Sequence, residues 1–189
     1  MTQASLFLRV ARPLDAAGVP YMLTGAFASA YYGALRSTQD TDIVISPSPA
    51  QLIELIHELQ ALNFHIDPEA ALQAGQEQSL FSTLDPETEW KTDFIFVRSR
   101  PFSEREFLRR TAFQFQDVRM FIATAEDVVL SKLESVKQGA SLWLLQDAAI
   151  VLEKRWTSLD HAYLTKWVAE LALAAEWQTA LQQAGIQPV

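Results

Sequence analysis

Apolar positions along the chain change their spacing several times, and each change predicts an element. Leu6, Val10 and Leu14 recur at helical spacing, which predicts a first helix ending near Gly18. Pro20 leads into a short strand at Tyr21-Met22-Leu23-Thr24, and Gly25 breaks it. Ala26 to Leu35 reads as a helix starting at that glycine, and Asp42-Ile43-Val44-Ile45 as a buried strand closed by Ser46-Pro47-Ser48-Pro49. Leu52, Leu55, Ile56 and Leu59 form an amphipathic stripe, with Ser48 as N-cap and Pro49 at the first helical position. Asn63 to Thr92 is less regular, apart from a strand expected at Ser79 to Leu84. Asp93 to Val97 is another apolar strand, Phe102 to Arg110 a short helix, and Phe113 to Phe115 and Arg119 to Ile122 two further strands.

From Thr124 onward the pattern is helical. Thr124 and Asp127 resemble a capping box for a helix to about Lys137, which Gly139 ends. Ser141 is placed to cap a helix over Leu142 to Lys154, and one or two more follow between Leu159 and Ala184. The expected fold class is α/β (α+β): a mixed β-sheet with flanking helices over residues 1–122, and a helical C-terminal region over 123–189 packed on it.

Composition narrows the chemistry. The 189 residues suffice for a hydrophobic core without staples. There is no cysteine, which excludes a disulfide framework, a thiolate zinc site and a cysteine nucleophile. A formal charge of -8 argues against a whole-surface polyanion binder. The N-terminus lacks a secretory apolar region, and no stretch approaches the roughly 18 apolar residues of a membrane span, so a soluble, cytoplasmic protein with no membrane partner is expected.

Asp40 and Asp42 open a strand two residues apart, so both carboxylates point to the same face. Such a pair repels itself unless a cation intervenes, and its hard oxygens suit Mg²⁺ or Mn²⁺. Asp93 begins the other apolar strand and joins the pair if the two strands are neighbours. Aspartates also sit at strand edges for purely structural reasons, and that reading stays open here. The turn at Thr24-Gly25-Ala26 precedes the acids by fifteen residues at a strand-to-helix junction, where free N–H groups suit phosphate.

This order, Thr24-Gly25-Ala26 followed by Asp40-Thr41-Asp42-Ile43 and by Lys91-Thr92-Asp93-Phe94-Ile95, resembles the signature of the DNA polymerase β-like nucleotidyltransferase superfamily. It looks closest to the AbiEii/MenT-like toxin-type nucleotidyltransferases. Ala26 stands where the pattern has Gly or Ser. The resemblance implies a nucleotidyltransferase-like fold, Asp40, Asp42 and Asp93 as ligands of Mg²⁺ or Mn²⁺, and an NTP held by Thr24, Gly25 and Ala26. It implies transfer of a nucleoside monophosphate to a hydroxyl of RNA, tRNA or protein, with pyrophosphate released. A small-molecule acceptor and a cognate antitoxin are compatible with it. The alternative is an inactive relative that binds a nucleotide or a partner, which Ala26 favours.

In the helical region, Lys132 borders the apolar face of its helix, and Asp147 is the only charged residue between Leu142 and Leu152. A carboxylate there is costly unless paired or bound. One reading is a Lys132–Asp147 ion pair joining two helices. The other is functional: the toxin-type enzymes carry a similar lysine and aspartate, matched by Ser131-Lys132-Leu133 and Gln146-Asp147, which implies Lys132 on the triphosphate and Asp147 either orienting it or acting beside the acceptor hydroxyl.

Arg36 is either a phosphate contact or a surface arginine. Arg98, Arg100, Arg105, Arg109 and Arg110 outnumber Glu104 and Glu106 and form either a solvated face or an RNA contact. His57, His65 and His161 lack metal-ligand spacing, with His57 expected exposed, and Trp143, Trp156, Trp167 and Trp177 are expected to pack helices. Neither a P-loop nor a Rossmann glycine motif is present.

Overall fold

The computed structural model describes residues 3–35, 40–115 and 118–187. In chain order the elements are α1 (Gln3–Ala16), β1 (Tyr21–Leu23), α2 (Gly25–Tyr31), β2 (Asp40–Ile45), α3 (Pro49–Ala61), α4 (Pro68–Glu77), β3 (Leu80–Asp85) and β4 (Trp90–Phe96). Then come α5 (Pro101–Arg109), β5 (Thr111–Phe115), β6 (Val118–Ile122), α6 (Ala125–Lys137), α7 (Trp143–Arg155), a 3-10 turn at Trp156–Ser158, α8 (His161–Glu170) and α9 (Ala174–Gln183). The result is a mixed β-sheet core flanked by helices and followed by a helical C-terminal region. Two compact units make up the chain: Met1–Thr24 with Thr38–Ile122, and Gly25–Ser37 with Ala123–Val189.

All six strands belong to the first unit, in the order β3-β4-β2-β1-β6-β5. β2 runs parallel to β4 and antiparallel to β1, while β3 is antiparallel to β4. Strand side chains alternate between faces. Ile43, Ile45, Phe94, Phe96 and Phe81 fill one face and are buried. Each such side chain contributes about 1.5–3 kcal/mol of burial. That face packs against helices: at Gly75 of α4 a β-carbon would stand 2.9 Å from Leu52 of α3 and 3.4 Å from Phe96. Ser48 caps α3 reciprocally with Gln51, as its position before Pro49 predicts.

Two local expectations for this unit need revision. The irregular stretch after Asn63 contains a full helix, α4, capped by Asp67 with Pro68 in its first turn. Its apolar face is made of Ala71 and Ala74, too small to give a visible stripe. The strand expected at Ser79 runs one residue later, from Leu80 to Asp85.

In the second unit α6 packs on α7, α8 and α9, and α2 packs on α6 and α7. Thr124 caps α6 by accepting from the Asp127 backbone N–H, and its hydroxyl donates to the Asp127 carboxylate at 2.7 Å. Tyr163 of α8 donates to the other Asp127 oxygen at 2.6 Å, which ties α8 to the start of α6. Here too the helix ends differ from expectation. α2 stops at Tyr31, because Gly33 takes φ +115° and the Ala34 N–H closes back on the Ser29 carbonyl at 2.9 Å. Ser141 is not the cap of α7: that helix begins at Trp143, whose N–H reaches Ser141 Oγ only at 3.4 Å. Two helices, α8 and α9, fill the stretch between Leu159 and Ala184. Among the described residues no helix is long and apolar enough to cross a membrane.

Candidate functional site

The parallel pairing of β2 with β4 sets Asp42 directly opposite Asp93, and Asp40 opposite Lys91. On the other side of β4, Ser82 of β3 is the register partner of Asp93. On the other side of β2, the Thr24 N–H donates to the Asp42 carbonyl at 3.0 Å, which fastens the end of β1 beside it. Alternation puts Ser82, Asp93 and Asp42 in one polar row on the face opposite Phe94 and Ile43. Asp40 is exposed, and Asp42 and Asp93 are half-buried.

Asp93 is held from two sides. Ser82 Oγ donates to one of its oxygens at 2.5 Å, and Lys91 Nζ donates to the other at 2.8 Å. Lys91 stands two residues before Asp93, hence on the same face. The hydrogen bond to Asp93 raises the Lys91 pKa; desolvation opposes the rise, and the charges of Asp93, Asp40 and Asp42 reinforce it. Beneath the row, Trp90 Nε1 donates to Thr41 Oγ1 at 2.7 Å and closes the buried side of β2 against β4.

Among the described residues no group of three or more His, Cys, Asp or Glu side chains converges closely enough to hold a metal ion. Two carboxylates face each other in register, a third lies on the same strand face, and the Lys91 ammonium lies 2.8 Å from Asp93. Sequence reasoning quoted Lys91 without giving it a role and did not single out Ser82. The signal for Lys91 was its two-residue spacing from Asp93.

The turn before the acids is partly as expected. Gly25 has φ +62°, a left-handed conformation that favours glycine. α2 begins there but is only seven residues long, so its dipole adds little. Arg36 lies outside the described residues.

In the second unit, Lys132 Nζ donates to Asp147 Oδ2 at 3.0 Å, and the two side chains are 6% and 8% exposed. The pair joins α6 to α7. The lone acid of the apolar stretch thus has the ionic partner its burial requires.

The arginine run in the first unit divides. Arg110 donates to the Phe107 carbonyl at 2.7 Å and lies 4.2 Å above the Phe107 ring, where burial lowers its pKa. Arg100 donates to Ser103. Arg98 and Arg105 are exposed. His57 is exposed as expected. Trp167 is buried, but Trp143 is 65% exposed and packs less than expected.

No protein-family model matches the chain, and no curated protein matches it. Solved structures do. An antigenic nucleotidyltransferase-like protein from Paracoccidioides brasiliensis aligns over 95% of this chain and 91% of its own, at TM-score 0.57 and 16% identity. ANT(2")-Ia in complex with adenylyl-2"-tobramycin aligns over 91% and 98%, at TM-score 0.61 and 12% identity. The solution structure of the antibiotic-resistance factor ANT(2'')-Ia aligns over 97% and 96%, at TM-score 0.56 and 12% identity. The chain therefore has the nucleotidyltransferase-like, polymerase β-like fold.

Proposed function

We propose that the protein is a metal-dependent nucleotidyltransferase that moves a nucleoside monophosphate from an NTP to a hydroxyl acceptor. The observation that carries the reading is the register pairing of Asp42 with Asp93 on the face of a nucleotidyltransferase-like sheet, beside a cation. Asp40, Asp42 and Asp93 are the residues that would hold Mg²⁺ or Mn²⁺, which when bound supplies charge neutralisation at the phosphates and a more acidic acceptor hydroxyl. In the transfer, an oxygen–phosphorus bond forms to the α-phosphorus and the bond to pyrophosphate breaks.

The chain's own groups serve this step by position and charge. Gly25 and Ala26 offer backbone N–H groups to the triphosphate and Thr24 its hydroxyl, with Arg36 as a further phosphate contact. Lys132 supplies positive charge to the triphosphate, and Asp147 fixes its orientation. The acceptor classes in this reading are RNA or tRNA, a protein hydroxyl, or a small molecule. ANT(2")-Ia is described with an adenylylated tobramycin, which supports testing the last. A toxin role with a cognate antitoxin, in the manner of the AbiEii/MenT-like proteins, extends the same proposal.

A second reading is a nucleotide- or partner-binding module without turnover. Ala26 favours it, and so do the carboxylates, which do not converge among the described residues. Incubation with each α-labelled NTP and Mg²⁺, in turn with total RNA, cell protein and an aminoglycoside, separates the two. Label transfer that Asp42→Ala abolishes establishes the enzyme. Nucleotide binding without transfer to any acceptor establishes the module.

A further inference from the structure

We propose that the helical unit carries a binding site for a neutral nucleoside whose base bears an exocyclic amine, adenosine or cytidine. The site lies outside the transfer reaction proposed above and does not depend on it. It is a cleft of about 550 Å³ between α7 and the end of α9, within the usual size of a small-molecule site. Trp143, Gln146, Ile150 and Glu153 follow one another on α7 at spacings of three and four, so they share one face and form one wall. Ala149 lines the cleft from below and is 3% exposed; its small side chain leaves the depth. Gln183, the last residue of α9, comes in from the other side.

Each of these groups matches a part of such a ligand. The Trp143 side chain is 65% exposed, which is unusual for so large an apolar surface. A flat base has the π-face to cover it, and stacking of that kind needs no charge. The side-chain amides of Gln146 and Gln183 are exposed and have no hydrogen-bond partner among the described residues. An amide offers a donor and an acceptor in one plane, the pattern that pairs with the amine and ring nitrogen of adenine. A carboxylate accepts from an exocyclic amine such as that of cytosine, and Glu153 supplies one. Lys154 holds one Glu153 oxygen at 2.8 Å, which leaves the other oxygen for the amine. No Lys or Arg side chain lines the cleft, so a phosphate finds no cation there to neutralise it. That selects the nucleoside over a nucleotide or a polynucleotide.

The test uses the full-length chain in equilibrium dialysis against adenosine, cytidine, inosine, uridine and AMP. Adenosine and cytidine are expected to bind, inosine and uridine to bind at least about tenfold more weakly for want of the amine, and AMP to bind no more tightly than adenosine. Trp143→Ala is expected to weaken adenosine binding about ten- to a hundredfold, Trp143→Phe much less, and Gln146→Ala about tenfold. Because Trp143 stands in water, the melting temperature of Trp143→Ala should hold within about 2 °C. Should that variant misfold, Gln146→Ala and the inosine comparison carry the test. The inference is overturned if no nucleoside binds, if Trp143→Ala binds adenosine as wild type does, if inosine matches adenosine, or if AMP binds more tightly. A concentration-dependent dimer that Trp143→Ala dissolves in sedimentation would assign the exposed ring to a second copy of the chain and overturn it as well. None of these outcomes bears on label transfer from an NTP, which stands or falls on its own assay.

Discussion

Asp42 and Asp93 are register partners on parallel strands, so two carboxylates far apart in sequence face each other across a single strand spacing. Directly opposed like charges are destabilising. Asp42→Asn therefore separates activity from stability. Label transfer is expected to fall at least about a hundredfold, while the melting temperature holds or rises by up to about 3 °C. A lower melting temperature with transfer intact would make Asp42 a structural residue.

The Lys132–Asp147 pair predicts the opposite behaviour. Both side chains are buried, so Asp147→Ala strands an ammonium between α6 and α7. The expected loss is about 3–5 kcal/mol in urea unfolding. The double variant Lys132→Met with Asp147→Leu should recover most of it. Should the double variant be no more stable than Asp147→Ala, the ionic contact is not what joins these helices.

Arg9 of α1 binds Asp85 at the end of β3 through two hydrogen bonds, of 2.5 and 3.0 Å, and also reaches Glu87 at 2.9 Å. Burial pushes the Asp85 carboxyl upward, but the hydrogen bonds from Arg9, the Glu87 backbone and Thr88 outweigh it and leave the pKa below the usual aspartate value. Near the unfolded aspartate pKa of about 4 the unfolded chain therefore binds more protons than the folded one. The contribution of Asp85 is complete above that pH and is lost as pH falls through the lower folded value. Asp85→Asn is expected to be less stable at pH 7 and to show a shallower loss between about pH 4 and pH 2. Parallel acid-unfolding curves for the variant and wild type would disprove this.

Gly25 holds φ +62° between β1 and α2. An L-residue with a β-carbon meets a cost of about 1–2 kcal/mol in that region. Gly25→Ala is expected to lose that much stability and to raise the KM for NTP more than it lowers kcat, as befits a phosphate-binding turn. A change confined to kcat would remove Gly25 from nucleotide binding.

Strong periodicity and unambiguous caps were legible in the sequence. The Ser48-Pro49 start of α3 and the apolar run of β2 emerge as read, β4 begins three residues before the expected Asp93, at Trp90, and the two Asp-bearing strands are indeed neighbours. α4 was hidden because Ala71, Ala74 and Gly75 form a face whose virtue is smallness: it lets the helix approach Leu52 and Phe96 closely. The Asp67-Pro68 start was its one overt signal. Lys91 was missed for a different reason. Its partner lies two residues away on the same face, a relation that means nothing until the segment is known to be a strand. The Lys132–Asp147 contact was anticipated as one of two readings, since an acid in an apolar helix demands a cation. No spacing rule identifies the role such a pair plays in a reaction.

The parallel relation of β2 to β4 has one more consequence, for how this architecture tolerates change. Residues 46–89 connect the two strands through α3, α4 and β3, and their number has no bearing on whether Asp42 meets Asp93. What matters is parity. Lengthening the crossover leaves the encounter intact, but one residue inserted between Trp90 and Asp93 turns the carboxylate inward and Phe94 outward. Evolution is thus free to remodel the connection at will and is held to an even count inside the strand.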